Sequence, residues 1–327
     1  MKSIAYDTVR EIAPGITVRF VDAGHILGSA SIDMRITEGN TSRRIVFSAD
    51  IGRWGIPFLN DPNPPTGAAD LVFLESTYGD RDHRSQEDTI AEFRSVIQEA
   101  LWNRQKILIP AFAIGRTQHV LYYLAELVRD HGVPEFPIYL DSPMAIKATE
   151  LYKKHHMLFD SEAASLDRKG TLTEDLRNLH YLQSAEDSRS LNERDECCVI
   201  IAGGGMCEGG RIVHHIKHNI WKRGVHVVMV GYASQGSLGR KLIDGAKEIY
   251  LHRLRIPVRA TIKTLGGFSA HAGQSELLKW LAPLAEHSPR VCLTHGEDPQ
   301  RQRLAEAIHQ RFGITAMLPE KFETIEL

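Results

Sequence analysis

Five residues able to bind a divalent metal or carry a proton, His25, Asp50, Glu75, His271 and His295, each stand at or just past the end of a short apolar run and close to glycine or serine. Imidazole and carboxylate are the ligands that borderline Zn2+ accepts, and a carboxylate with two oxygens is a natural bridge between two ions. An imidazolium paired with a carboxylate can stabilise developing negative charge or give up a proton. The chemistry on offer is that of a metallohydrolase whose ligands are scattered along the chain. Elements must therefore converge: the runs ITVRFVDAGHILGSA, RRIVFSAD, DLVFLESTYG, ATIKTLGGFSAH and RVCLTHGE each read as a buried strand that stops where the polar residue begins, and strand ends can share one mouth.

The periodicity predicts strands near 16–21, 29–36, 43–48 and 70–75, then a helix opening at Ser85 with Asp88 three residues on and Ile90, Phe93, Ile97 and Leu101 along one face. From there the pattern changes. KILIP is followed by a helix after Gly115, FPIYLD by one after Pro143, CCVIIAG by one after Gly210 and HVVMVG by one after Ser237. Strands alternating with helices imply a parallel, Rossmann-like sheet covered on both faces, over roughly 85–255. The chain then returns to strand, helix, strand, helix and a short closing strand. The polar stretch 160–196 reads as a helical or loop excursion of the middle block.

With 327 residues the chain can bury a core without staples, and its four cysteines form no CxxC pair, so neither a zinc knuckle nor a secreted disulfide framework is indicated. A reducing cytoplasm fits. Net charge is −2 and the isoelectric point about 6.8, so bulk electrostatics cannot hold nucleic acid and any such contact must be local. No apolar stretch of membrane-spanning length occurs.

Eight motifs in order, FVDAGHILGSA, FSADIGR, ESTYGDR, IPAFAIGRTQ, YLDSPMA, GMCEGGR, GGFSAHA and LTHGE, resemble the β-CASP branch of the metallo-β-lactamase superfamily, the RNA-processing nucleases related to the endonuclease of mRNA 3′-end formation. The resemblance runs from about residue 15 to 315. It implies an α/β fold: a partial metallo-β-lactamase αββα sandwich formed by 1–84 and 256–327, with a Rossmann-like β-CASP domain inserted at 85–255. It further implies a zinc-dependent ribonuclease, endonucleolytic or acting from the 5′ end, that hydrolyses single-stranded RNA in the cytoplasm with two Zn2+, and a homodimer. His25 becomes a zinc ligand, Asp50 the bridge between the zincs and His295 the ligand completing the second; His271, oriented by the acid at Glu75, faces the scissile phosphate. Two zincs about 3.5–4 Å apart would activate a shared water and clamp an in-line displacement. Histidine at 295, where DNA-directed members usually carry valine, favours RNA.

Each residue also has an ordinary reading. A lone histidine at a strand end is commonly a satisfied polar group, Asp50 could cap a turn before Gly52, Glu75 could cap ESTYG, and His271 could neighbour a helix start. The motif contexts favour the ligand readings for His25, Asp50 and His295. Arg116, Gln118 and Ser142 end strands of the middle block, where open α/β sheets bind ligands, and with Gly204, Gly205 and Ser269 are expected to touch RNA. His214 and His218, at i and i+4, could grip a metal but have no third partner and read as a polar helix face. GGGMCEGGR lacks the spacing of a nucleotide-binding loop and a Walker lysine, leaving an RNA phosphate as its ligand.

Three positions depart from the family pattern. Gly204 stands where serine is common and Gly273 where aspartate is usual, which predicts weaker RNA backbone contact and weaker ordering of His271, and Ala49 replaces a frequent glycine. More consequential, the family draws most of its ligands from a His-x-His-x-Asp-His segment upstream of the counterpart of His25, and no such segment occurs in this sequence, where 24 residues precede His25. The expectation is a fragment of a longer nuclease, inactive alone, with an unpaired sheet edge and an uncovered apolar face that make it self-associate. A non-catalytic RNA-binding or scaffold subunit is the alternative; a small-molecule hydrolase fits less well, because those enzymes lack the inserted block.

Overall fold

A computed structural model describes residues 4–130, 132–168, 175–194 and 196–326. They form two compact units, Met1–His83 with Ala270–Leu327, and Arg84–Ser269. The protein is α/β, with a mixed six-stranded sheet in the first unit and a parallel six-stranded sheet in the second.

In the first unit the order is Val9–Ala13, Ile16–Asp22, Ala30–Glu38, Thr41–Phe47, Leu71–Glu75 and Arg290–Thr294. The first four strands form an antiparallel meander, and the last three run parallel to one another. Strand side chains alternate between faces, so the register decides what each face carries. Val46, Val72, Leu74, Val291 and Leu293 point to one side, where they pack against helices Gln274–Ala285 and Asp298–Phe312 through Leu277, Trp280, Leu281, Leu304 and Ile308. Each such aliphatic side chain stabilises the fold by about 1.5–3 kcal/mol when removed from water. The opposite face carries Phe20 across from Ile32, Ile32 across from Phe47, and Phe47 across from Phe73, whose rings stack with centroids 4.8 Å apart. Ile45 and Leu71 are buried there, but Phe20, Ile32, Met34, Phe47 and Phe73 all remain partly exposed.

In the second unit the order is Thr261–Thr264, Val225–Met229, Lys106–Ala111, Val199–Gly203, Ile138–Asp141 and Leu179–Tyr181, every neighbour parallel. Four strands, KILIPA, IYLD, VIIAG and VHVVM, are buried almost along their whole length, as a sheet covered by helices on both faces requires. Helix starts follow the sequence: Ser85, Ser142 and Ser237 cap helices Gln86–Trp102, Pro143–Lys154 and Leu238–Ile243, each hydroxyl accepting a hydrogen bond from the backbone N–H three residues on.

Some details differ from the sequence expectation. Thr261–Thr264, read as the start of the returning segment, pairs in parallel with Val225–Met229 and belongs to the second unit, because its register partners lie there. The closing strand is only an isolated bridge between Met317 and Cys292. The polar stretch 160–196 holds helices Ser161–Arg168 and Ala185–Glu193 and the edge strand Leu179–Tyr181; 169–174 and 195 lie outside the described residues. Among the described residues no helix is long and apolar enough to cross a membrane, and all four cysteines are free thiols.

The partly exposed phenylalanine face, together with Val9 and Ile12 on the edge strand, 66 and 55% exposed, predicts self-association. Light scattering should give a mass above 36.7 kDa that falls when Phe47 and Phe73 are both replaced by serine. A wild-type protein that stays monomeric at about 0.1 mM would contradict this reading of the face.

Candidate metal centre

Three parallel strands, Thr41–Phe47, Leu71–Glu75 and Arg290–Thr294, stop at one edge of the first sheet, with Glu75 opposite Thr294. Asp50, Glu75 and His295 emerge there. His25 arrives from the loop after Ile16–Asp22, which Ser29 organises by accepting hydrogen bonds from the N–H groups of His25 and Ile26 at 3.0 and 3.3 Å. Gly52 joins this loop to that of Asp50: its N–H donates to the Ala23 carbonyl at 2.7 Å, and a Cβ on it would collide with the Gly24 carbonyl. Gly296 plays the same part beside His295, where a Cβ would run into Ser76. Only residues without side chains allow these loops to lie in contact.

The five side chains then meet. The two carboxylate oxygens of Asp50 face different imidazoles, Oδ2 lying 3.9 Å from His25 Nε2 and Oδ1 lying 3.0 Å from His295 Nδ1. Ring centroids of His25 and His271 are 4.3 Å apart, and those of His271 and His295 5.7 Å. Behind His271 sits Glu75, 1% exposed, whose oxygens lie 3.1 and 3.2 Å from His271 Nδ1. That carboxylate also accepts hydrogen bonds from the N–H groups of Ile51 at 2.7 Å and Thr77 at 3.2 Å.

These contacts set the charges. Burial raises the Glu75 carboxyl, but hydrogen bonds from His271, Thr77 and Ile51 outweigh it and hold Glu75 below the usual range, so it is ionised. The hydrogen bond from His295 lowers Asp50 against burial, with the charges of His295, His271 and His25 adding to it. In return that bond to Asp50 raises His295. His25 moves the other way: burial, helped by the charge of His271, pushes it down to about 4 against the pull of Asp50 and Glu75. A neutral imidazole is the form that ligates metal.

The donor types suit zinc, although His25, Asp50 and His295 do not all come within ligand distance of one another as one group. Among the described residues the groups that could hold a metal are His25, Asp50 and His271, and Glu75, His271 and His295, each with ligand atoms within 4.8 Å of one another. Glu75 already accepts from His271, Ile51 and Thr77, which suits an orienting role more than ligation. The helix bearing His214 and His218 makes no such group; His214 stacks on His252 instead, centroids 5.6 Å apart.

Supporting residues escaped the sequence reading. Ser48 accepts the Glu75 N–H at 2.9 Å, Thr77 donates its hydroxyl to the His295 carbonyl at 3.0 Å, and a ring nitrogen of His83 lies 2.9 Å from the His271 carbonyl. Short polar residues at strand ends are too common to single these out. The departures also have physical accounts. Gly273 does not leave its helix uncapped: Asp82 accepts from the Ser275 N–H at 2.8 Å, and Glu276 accepts from the Gly273 N–H at 2.9 Å. A side chain at 273 would press on Asp82. Ala49 and His295 adopt left-handed backbone conformations, φ 50° and 52°, where glycine relieves the alanine but cannot replace an imidazole. Gly204 has φ 117° and approaches the Gly209 carbonyl too closely for any Cβ, so serine has no room there.

The remaining candidates lie in the second unit. Gln118 is buried and donates to Thr149 Oγ1 at 2.9 Å and to the Ala113 carbonyl at 3.2 Å, while the Ser142 hydroxyl accepts from the Ala145 N–H. The Gln118 amide hydrogens and the Ser142 hydroxyl thus serve the helices, while Gln118 Oε1 has no hydrogen-bond partner among the described residues. Arg116 begins helix Arg116–Asp130 and is 8% exposed, Ser269 is 4% exposed, and Gly204 and Gly205 follow strand Val199–Gly203.

Residues 117–242 match the model of the Beta-Casp domain, and 255–319 that of the Zn-dependent metallo-hydrolase RNA specificity domain. Over 296 residues the chain is 38% identical to a ribonuclease of Thermus thermophilus, covering 90% of this chain and 66% of that protein. It is 31% identical over 333 residues to a transcription termination factor of Pyrococcus horikoshii and 30% identical over 333 residues to that of Pyrococcus abyssi, covering 99% of this chain in both cases. The chain spans about half the length of these archaeal relatives, 50 and 51%.

Because His25 is held neutral when folded, unfolding releases it to bind a proton at its ordinary value near 6.5. Its contribution to stability is present above pH 6.5 and is lost as pH falls towards 4, on the order of 3 kcal/mol in all. Urea unfolding in the presence of a chelator should show this decline, and His25→Gln should flatten it; identical slopes in both proteins would contradict the burial of a neutral ring.

Proposed function

The chain belongs to the β-CASP family of the metallo-β-lactamase superfamily, and from that membership we propose that its site hydrolyses phosphodiester bonds of single-stranded RNA with two Zn2+ ions. The observation that carries this reading is Asp50, one carboxylate with an oxygen turned towards each of two imidazoles from opposite ends of the chain. His25, Asp50 and His295 would hold the metal, Asp50 as the bridge. When bound, the zincs supply an activated water and neutralise charge on the phosphoryl oxygens. His271 lies beside His25 and His295 with Nδ1 on Glu75, so its ring is fixed in orientation and its other nitrogen is the one to meet a scissile phosphate or protonate a leaving oxygen. Glu75 acts through His271, as a positioning residue.

The relatives' names, ribonuclease and transcription termination factor, support RNA as the substrate and the cytoplasm as the setting. In place of the sequence-based bounds 1–84, 85–255 and 256–327, we assign Met1–His83 with Ala270–Leu327 to the metallo-β-lactamase part and Arg84–Ser269 to the β-CASP domain, following the two compact units. In the latter, Arg116, Ser269 and the backbone of Gly204 and Gly205 serve as RNA contacts, with Gln118 and Ser142 supporting them from beneath. A homodimer is part of this proposal.

A catalytic zinc ordinarily takes three protein ligands. His25 with Asp50, or His295 with Asp50, gives each ion two. The chain by itself therefore holds zinc weakly and cuts RNA negligibly until further donors are supplied. The same deficit favours a second reading, a non-catalytic RNA-binding subunit.

The two readings separate in one experiment. The chain is mixed with a polypeptide carrying a His-x-His-x-Asp-His segment of the same family, and zinc content and cleavage of a labelled single-stranded RNA are followed. Under the proposed function, zinc rises towards two per chain and cleavage appears, Asp50→Ala abolishes both, and His271→Ala keeps zinc while slowing cleavage by about 10²-fold or more. Two tightly bound zincs in the chain alone would contradict the ligand count. RNA binding without cleavage in the zinc-loaded mixture would establish the non-catalytic reading.

A further inference from the structure

The chain carries net charge −2, yet one place in the second unit reverses that sign. A pocket of about 300 Å³ opens where strands Lys106–Ala111 and Val225–Met229 begin, Val225 lying opposite Lys106. Its wall contains four cations, Arg104, Lys106, Lys222 and Arg223, and one acid, Glu196, which lies 3.6 Å from Arg194. Helices Gln86–Trp102 and Ile212–Asn219 end beside it, and each helix C-terminus contributes about half a negative charge. Four positive charges against one acid and two half charges leave the wall cationic. Among the described residues neither Arg104 nor Arg223 makes an ion pair.

Two further features point to the kind of anion. Trp102, at the end of the first of these helices, is 89% exposed, and Trp221, just past the second, is 46% exposed. The Lys222 ammonium lies 5.7 Å from the Trp221 ring centroid, which ties that indole to the pocket wall. Large aromatic faces left in water beside cations are the means by which proteins stack the bases of single strands while neutralising their phosphates. Asn219, wholly buried in the wall, gives its amide hydrogens to Asn192 Oδ1 and the His215 carbonyl, each at 2.9 Å. Its oxygen has no hydrogen-bond partner among the described residues.

We propose that this pocket, with Trp102 and Trp221, is a binding site for single-stranded RNA, at the opposite strand ends of its sheet from the Gly204 loop. Arg104 and Arg223 hold phosphates, and Trp221 stacks a base. The proposal rests on RNA being the substrate class of the metal centre, and adds a place where the strand is gripped without being cut.

The test uses the whole chain and a fluorescein-labelled uridine decamer, with anisotropy measured across a salt series and tryptophan quenching in parallel. The double variant R104A/R223A should weaken binding at least tenfold at 0.1 M salt and flatten the plot of log affinity against log salt by about 1.4, since each lost phosphate contact on a single strand removes about 0.7. Trp221→Ala should weaken binding about tenfold and remove much of the quenching. The control R189A/K247A takes an equal charge from elsewhere on the unit and should do neither. Wild-type affinity and slope in the pocket variants, with RNA still bound, would overturn this site and leave the metal-centre reading standing. No RNA binding by the wild-type chain would overturn both.

Discussion

A carboxylate taken fully out of water must be surrounded by donors or it unfolds what buries it. Glu75 meets that demand from three stretches of chain: the Ile51 N–H beyond the Asp50 strand, the Thr77 N–H of its own loop, and the His271 ring from nearly two hundred residues away. Its own N–H is taken by Ser48. Satisfying this one charge brings the loop of Asp50 and the returning chain against the same strand end. The ligand cluster is the consequence, because Asp50 and His271 have nowhere else to lie.

Around that anchor the charges are graded. Asp50 and His295 reinforce each other's ionised forms, whereas His25, deeper and next to His271, is kept neutral. An ionised Asp50 and a neutral His25 are the states that a divalent cation requires of its ligands, whereas His295, held in its charged form by Asp50, must give up its proton before it can ligate. The left-handed backbone at His295 is the strain this arrangement costs, and the Thr77 hydroxyl on its carbonyl helps to hold it.

The five residues of the cluster were legible in the sequence for a physical reason. For Asp50, Glu75 and His295 the reason is that buried parallel strands are apolar almost throughout, so the polar residue after each run marks its end, and parallel strands of one sheet end on one side; His25 and His271 arrive on loops from an antiparallel strand and from the other sheet. What supports them was not legible. Asp82 caps a helix almost two hundred residues away, and Ser48 and Thr77 are ordinary polar residues until Glu75 is placed between them. The edge strands Val9–Ala13 and Leu179–Tyr181 are short and half polar, with no period to read, and Thr261–Thr264 joins the second unit's sheet because pairing partners, not its own residues, decide where a strand lies. The cationic pocket was hidden for a similar reason: its residues come from 103–106, 196, 219 and 222–225, and no run of like charge announces them.

The most direct test of the account is the protonation of one ring. Long-range proton–nitrogen correlations in a spectrum of the histidine-labelled protein report which nitrogen of His271 carries hydrogen. If an ionised, buried Glu75 fixes this ring, Nδ1 stays protonated at every pH where the protein is folded, and the neutral form is the Nδ1–H tautomer alone. A neutral His271 with its proton on Nε2, the form that prevails in free histidine, would show that Glu75 does not orient the ring, and the constraint on which the site depends would be gone.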